Sequence, residues 1–311
     1  MSKETVINEP SGVLIVNKPS GVTSHDIVNK IRRLYGTRRV GHTGTLDPMA
    51  TGVLVVLIGR AAKASEYLAS DQKHYRATLR LGLTTDTEDT TGAMLTTSEK
   101  IPTHEEIIAI LPQFRGKIQQ IPPMYSALKV GGKKLVDLAR QGVTVERQPR
   151  EIEIFDLEAI PTDSPTDYVL EVTCSGGTYI RTLCADIGQA LGCGGAMASL
   201  ERTETGGFSL SISHTVEELS EMDPDTRLSL LIPTEQLFAA YPLVLLPAFY
   251  EKLCRSGCEI YQKKIGTSLP TDTKVRLADQ NGHFFALGEV RDYENGSAIK
   301  AIKTFSLDSA E

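Results

Sequence analysis

The segment Gly41-His-Thr-Gly-Thr-Leu-Asp-Pro-Met-Ala-Thr-Gly52 sets one histidine and one aspartate among three glycines and three threonines. Glycines let a backbone approach a ligand closely, and a short aspartate arm on such a loop holds a carboxylate at a fixed point. Taken alone, Asp47-Pro48 reads first as a turn, because Asp before Pro commonly opens one. The loop has neither the GK[ST] ending nor the GxGxxG spacing of a phosphate cradle. Tyr75, in Lys73-His-Tyr-Arg76, and the pair Tyr179 and Arg181, in Gly176-Gly-Thr-Tyr-Ile-Arg-Thr182, are further candidates. Two glycines ahead of Tyr179 and Arg181 would let both side chains reach a cleft. The competing readings are a packed aromatic whose hydroxyl finds a partner and a surface arginine with an incidental ion pair. The six histidines are scattered without HExxH spacing. No serine nucleophile elbow or nucleotide signature is present, so no metal and no cofactor is expected and carboxylate chemistry is the best offer.

These residues need elements to position them. Gly12 to Val16 and Val53 to Ile58 are short apolar runs, read as buried strands. Thr23-Ser-His-Asp26 opens a helix with Ser24 as the expected N-cap, and Gly36 marks its end. Arg60 to Leu68 reads as a short helix, and His74 to Leu83 alternates as a strand ending in a polar turn at Asp86 to Gly92. Thr103-His-Glu-Glu106 is a capping box, and Lys133 to Arg140 a short basic helix. Strands are expected at Glu151 to Ile160 and Tyr168 to Cys174, then an amphipathic helix from Thr178 to Leu191. Strands and helices mix without a βαβ period, which favours α+β over a doubly wound sheet. Beyond Pro233 to Pro247 come three short strands, Lys274 to Leu277, His283 to Val290 and Ala298 to Thr304. They predict a small β-rich C-terminal domain. No internal repeat or low-complexity segment interrupts the chain.

With 311 residues, 41% apolar and 23% charged, the chain can bury a core and exceeds the usual size of one domain. No run is long enough to span a membrane, and the polar start MSKETVINEPSG carries no apolar signal core. The five cysteines form no disulfide or zinc framework, which fits reduced thiols in the cytoplasm. A net charge of −6 argues against nucleic acid only if charge is spread evenly. It is not: Lys30 to Arg39 holds five basic residues and no acid, and Lys129 to Arg150 holds six against Asp137 and Glu146. Acids gather at Asp86, Glu88 and Asp89 and at Glu217 to Asp225. The basic stretches are either a binding face or merely solvated helix faces.

The pattern resembles the TruB family of tRNA pseudouridine synthases. The resemblance runs through Lys18-Pro-Ser-Gly-Val-Thr-Ser24, the Gly41 to Gly52 loop, His74-Tyr-Arg76 and Pro122-Pro-Met-Tyr-Ser-Ala-Leu-Lys129. It continues in Gly177-Thr-Tyr-Ile-Arg-Thr-Leu183 and in Leu200-Glu-Arg-Thr203 leading to Gly206-Gly-Phe208. It implies isomerisation of uridine to pseudouridine at position 55 in the T-loop of tRNA. Asp47 matches the catalytic aspartate, Arg181 its ion-pair partner and Tyr75 the tyrosine that stacks on the base. His42 matches a residue that helps open the T-loop and Tyr179 one that lines the pocket. Lys18, Leu200 and Lys129 fall among the substrate-binding positions.

The implied fold is an α+β catalytic domain, 10–235, with a mixed, largely antiparallel sheet and a central cleft. A basic insertion at about 124–150 and a PUA-like β-barrel domain, 240–306, complete it. Such a protein is expected to act as a cytoplasmic monomer on the T-arm of tRNA, with no cofactor, membrane or obligatory protein partner. Two other readings stay open: an RNA-folding module that needs no catalysis, and a guide-RNA-dependent synthase.

Overall fold

A computed structural model describes residues 9–68 and 72–306; most of the polar N-terminal stretch, residues 1–8, lies outside them. The chain starts with β1 (Gly12–Lys18), α1 (Ser24–Leu34), β2 (Val40–His42) and β3 (Thr51–Ile58). The first and last of these are the two apolar runs, paired antiparallel along their whole length from Gly12–Ile58 to Lys18–Gly52. Both are covered on two faces. Leu14, Val16, Leu54 and Val56 lie under α1, while Val13, Ile15, Val53 and Val55 meet a 3-10 helix at Gly59–Tyr67 and Phe238. Burial on both sides explains unbroken apolar sequence where a half-exposed strand would alternate.

The cap of α1 is Thr23, one residue earlier than expected. Its hydroxyl accepts from Asp26 N at 3.1 Å, and the Asp26 carboxylate accepts from Thr23 N at 2.9 Å. Ser24 faces the other way, and its buried hydroxyl donates to Leu46 O and accepts from Leu46 N, at 3.1 and 2.9 Å. That pair of bonds fixes the residue next to Asp47.

Next come β4 (Lys73–Leu81), the hairpin β5 (Leu83–Thr85) and β6 (Met94–Thr97), and α2 (His104–Ile110), capped by Thr103 through the expected box. After β7 (Gly116–Gln120), the basic segment forms β8 (Lys129–Val130), β9 (Lys133–Lys134) and α3 (Leu135–Arg140). Lys133 and Lys134 therefore belong to a small hairpin, not to the helix expected there. Then follow β10 (Arg150–Pro161), β11 (Asp167–Cys174), α4 (Ile180–Ala190), β12 (Gly195–Thr205) and β13 (Phe208–Ser209).

The main sheet has nine strands in the path β1-β3-β12-β4-β11-β10-β7, with β2 beside β3 and β13 beside β12. It is antiparallel except where β12 runs parallel to β3. Helices α2 and α4 cover Tyr75, Leu79 and Leu170 through Ile107, Leu183 and Ile187. The first half of β12 has no strand signal in the sequence, since Gly-Ala-Met-Ala-Ser carries no β-branched residue.

After α5 (Val216–Glu221) and α6 (Pro224–Ser229), the chain builds β14 (Leu243–Leu245), α7 (Ala248–Arg255), β15 (Ile260–Tyr261) and α8 (Gln262–Ile265). It closes with β16 (Lys274–Ala278), β17 (Phe284–Tyr293) and β18 (Gly296–Thr304). These five strands pair in the order β14-β16-β17-β18-β15 around Val275, Leu277, Phe285 and Val290, a curled half-barrel sheet of PUA-like form. Phe284 and Phe305 reach out of it to pack at tilted angles on Phe238, in the core behind β1 and β3.

One glycine is dictated by the join between β3 and β12. Gly52 has φ +102°, and a Cβ there would sit 2.2 Å from Arg202 O. Gly52→Ala is expected to lower stability by at least about 2 kcal/mol in urea melts, through strain and the forced parting of the strands.

Candidate active site

Asp47 sits in the loop between β2 and β3, which lies beside β12 at Leu200 and Arg202. The turn expected at Asp47-Pro48 forms, with Ala50 N donating to Asp47 O at 3.0 Å, and it leaves the carboxylate on the wall of a cleft. Four anchors hold the loop besides Ser24. Gly21 N donates to Pro48 O at 2.8 Å, and the Ser20 hydroxyl donates to Met49 O at 3.0 Å. Lys18 Nζ donates to Val22 O, Pro19 O and Pro48 O at 2.8, 2.9 and 3.3 Å. Arg202 Nε donates to Val53 O at 2.8 Å and its Nη2 to Gly44 O at 3.0 Å.

Arg181, on the first turn of α4, faces Asp47. Its Nε lies 2.9 Å from Oδ2 and its Nη2 3.4 Å from Oδ1, the two-point contact of a guanidinium fork. The guanidinium is buried and spends its other protons on Thr87 O at 3.1 Å and Tyr125 O at 2.9 Å. Its Nη1 also lies 3.6 Å from the carboxylate of the buried Asp89. Asp89 is fixed in turn by Thr91 N at 3.0 Å and by the hydroxyls of Thr87 and Thr91 at 2.9 and 2.5 Å. One arginine thus joins two carboxylates brought from separate loops.

The pair opens into a cleft of about 890 Å³ whose walls include Tyr75, Lys73, Tyr179 and Leu200. Tyr75 is buried on β4, with the Arg202 guanidinium acting on its phenol. Burial raises the Tyr75 phenol above its ordinary range, with Arg202 opposing, so the ring stays neutral. Tyr179 is the N-cap residue of α4, and the Gln120 amide clamps its peptide, accepting from Tyr179 N at 2.9 Å and donating to Tyr179 O at 3.0 Å.

Burial also pushes the Asp47 carboxyl above the usual carboxylate range; Arg181 pulls it back and Asp89 adds to the rise. A reaction that uses Asp47 as the anion should therefore lose rate on acidification at a pH above the ordinary aspartate value of 3.8. A kcat/KM profile under single-turnover conditions would show that acid limb. In the opposite sense, burial brings the Lys18 ammonium down to about 8, with Asp47 opposing.

Three of the expected substrate-binding residues stand away from the cleft wall. Lys18 is fully buried beneath the loop and supports it from below. His42 lies on β2 opposite Val56, with Nδ1 buried and unpartnered among the described residues. Burial, then Arg202 and His25, lower its pKa. Lys129 is exposed on β8 and lines a neighbouring groove of about 650 Å³ with Lys133, Lys134 and Arg140. Lys134 and Arg140 border the cleft as well, so groove and cleft are continuous.

Asp89 and Arg202 are not among the sequence candidates. Asp89 sits in the sequence as one of a group of acids apart from the chemistry, although Thr87-Glu-Asp-Thr-Thr91 is a string able to solvate its own carboxylate. Arg202 alternates with Leu200 on one face of β12, a period-two signal readable only once that strand is recognised.

Residues 32–180 match the family described as TruB family pseudouridylate synthase (N terminal domain). Residues 181–239 match the tRNA pseudouridylate synthase B C-terminal domain. A protein of Clostridium kluyveri named tRNA pseudouridine synthase B is 41% identical over 295 residues, 94% of this chain and 99% of that one. One of Syntrophotalea carbinolica with the same name is 43% identical over 93% of this chain and 87% of its own. Among solved structures, a chain from "Crystal Structure of a Cbf5-Nop10-Gar1 Complex" superposes with a TM-score of 0.72 at 25% identity, over 95% of this chain and 85% of that one. By this likeness over nearly its whole length, the chain belongs to the TruB family of pseudouridylate synthases.

Proposed function

We propose that this protein is an RNA pseudouridine synthase that isomerises uridine 55 in the T-loop of tRNA, with Asp47 as its nucleophile. The observation that carries the reading is the forked Arg181–Asp47 pair at a cleft walled by a buried tyrosine, in a chain whose relatives carry the name tRNA pseudouridine synthase B. The reaction breaks the bond from ribose C1′ to uracil N1 and makes one from C1′ to C5. The C5 hydrogen leaves as a proton and N1 ends protonated, so no electrons are gained or lost. Asp47 adds to C1′ of the ribose or to C6 of the base, and the freed uracil must stay trapped while it turns. Arg181 holds the carboxylate ionised and aimed, because a close cation favours the charged form. The target nucleotide has to be flipped from its loop, and stacking on Tyr75 offsets part of a cost of a few kcal/mol.

Tyr179 and Leu200 complete the base pocket, and Lys129 grips the T-arm backbone from the adjoining groove. His42 helps open the T-loop, and Lys18 serves binding indirectly, by holding the Asp47 loop. The protein works as a cytoplasmic monomer; no described helix is long and apolar enough to cross a membrane. Its chain divides into a catalytic domain, 10–235, and a PUA-like RNA-binding domain, 240–306. The second sheet, which starts at Leu243, supports that division.

Tritium release from C5-labelled tRNA, with EDTA and no added cofactor, tests the reading directly. Release by the purified protein is expected; none from a tRNA that binds would favour a folding module or a guide-dependent enzyme. Replacing Lys129, Lys133 and Lys134 by alanine should weaken tRNA binding and flatten its salt dependence by up to about two units of slope. An unchanged slope in a filter-binding titration would make that groove a merely solvated face.

A further inference from the structure

Away from the cleft, a cluster of unassigned positive charge lies at the opposite end of β3. A surface cavity of about 740 Å³ is lined by Arg38, Arg39, Arg60 and Lys63. Arg38 and Arg39 precede β2, while Arg60 and Lys63 belong to the 3-10 helix after β3. The antiparallel pairing of Val40 with Ile58 brings the two segments together. Arg39 is paired with Glu9 at 2.9 Å, and Lys63 Nζ donates to Thr304 O at 3.0 Å. Arg38 and Arg60 form no ion pair among the described residues. Lys63 also borders a second hollow with Lys303, whose ammonium is met by Glu66. Four cations thus converge on the larger cavity, where among the described residues Glu9 is the acid paired with one of them, in a chain of net charge −6.

An acidic protein that keeps such a cluster exposed presents a site for a polyanion. Three of the four groups are guanidinium forks, which match phosphate oxygens two at a time. The cavity is also far from the chemistry. Along β3, Ile58 lies seven residue steps from Thr51, beside the Asp47 loop, or about 23 Å at 3.3 Å per residue. Moreover, the 3-10 helix packs on the face of β3 opposite α1. A nucleic acid held at Asp47 has to extend well past its flipped base to arrive there.

We propose that the Arg38–Arg39–Arg60–Lys63 cavity is a second foothold for the phosphodiester backbone of tRNA, outside the T-arm hairpin that occupies the cleft. This rests on the tRNA reading above. The contact is to phosphate, so it adds affinity without sequence preference.

The test compares wild type with an Arg38→Ser/Arg60→Ser/Lys63→Ser variant, and with Arg38→Glu alone, on two RNAs: full-length tRNA and the isolated T-arm hairpin. Binding is titrated across a salt series and tritium release is followed on both RNAs. The triple variant should bind full-length tRNA at least about tenfold more weakly near 0.1 M salt, with a slope lower by about two, and Arg38→Glu should move the same way. Affinity and turnover on the hairpin should stay at the wild-type level. An unchanged slope with full-length tRNA, or an equal loss on the hairpin, would overturn the foothold. If wild type binds both RNAs but releases tritium from neither, the isomerase reading fails while the binding comparison still decides the cavity.

Discussion

Asp47→Asn is expected to remove turnover, slowing tritium release by about three orders of magnitude or more, while tRNA affinity changes by less than about threefold. Asparagine keeps the shape of the side chain and leaves the turn to Ala50 intact, since that bond uses the backbone carbonyl. What it lacks is the anion. A neutral amide cannot add to carbon, and Asp47 contributes no phosphate grip, so binding and chemistry should separate. The fold should lose less than in an Arg181 variant, because Asp89, Thr87 O and Tyr125 O still hold the buried guanidinium. Affinity measured by filter binding beside single-turnover release would decide the point. Retained turnover would take Asp47 out of the mechanism.

The second large effect belongs to Arg181→Met. Methionine fills much of the volume but leaves Asp47 and the buried Asp89 without the cation between them. Breaking a buried pair from one side strands the other charge and costs about 3–5 kcal/mol. Here two carboxylates, Thr87 O and Tyr125 O all lose their partner. Turnover should drop by about a hundredfold or more, and the acid limb of the pH profile should move up, because Arg181 no longer opposes the burial that raises Asp47. Arg181→Lys restores the charge without the fork and should recover stability better than rate. Urea melts and pH–rate profiles of the two variants together distinguish a positioning arginine from a structural one. Equal stability and rate losses in both, with no shift of the limb, would make its role purely structural.

Much of this site is legible in the sequence because its residues lie in short local strings. The glycine-rich loop, the Gly-Gly entry to α4 and the capping box at Thr103 are each complete within about a dozen residues. Local chemistry suffices for features of that kind. The shift of the α1 cap from Ser24 to Thr23 shows the limit: both hydroxyls suit a cap, and only the contact with Leu46 decides between them. Residues defined by distant partners are beyond reach. Arg202 is buried because Val53 and Gly44 offer it carbonyls, and Asp89 matters because α4 aims Arg181 at it. The basic hairpin around Lys133 passes for helix because charge alone does not distinguish the two, whereas Gly131 and Gly132, both at positive φ, make the turn.

Arg202 holds the Asp47 loop from 158 residues further along the chain, through Gly44 O, and from 149 through Val53 O. A protein is synthesised from its N-terminus, so Asp47 and its loop are made long before the strand that secures them. Until β12 exists and slots between β3 and β4, the loop lacks its arginine anchor and Tyr75 lacks the strand partner that Arg202 provides. The nascent chain therefore carries Asp47 in an unfinished setting for about half of its synthesis. Competence arrives abruptly, with one strand insertion, and a chain cut short before Gly195 would own every residue of the Asp47 loop and still lack a working site.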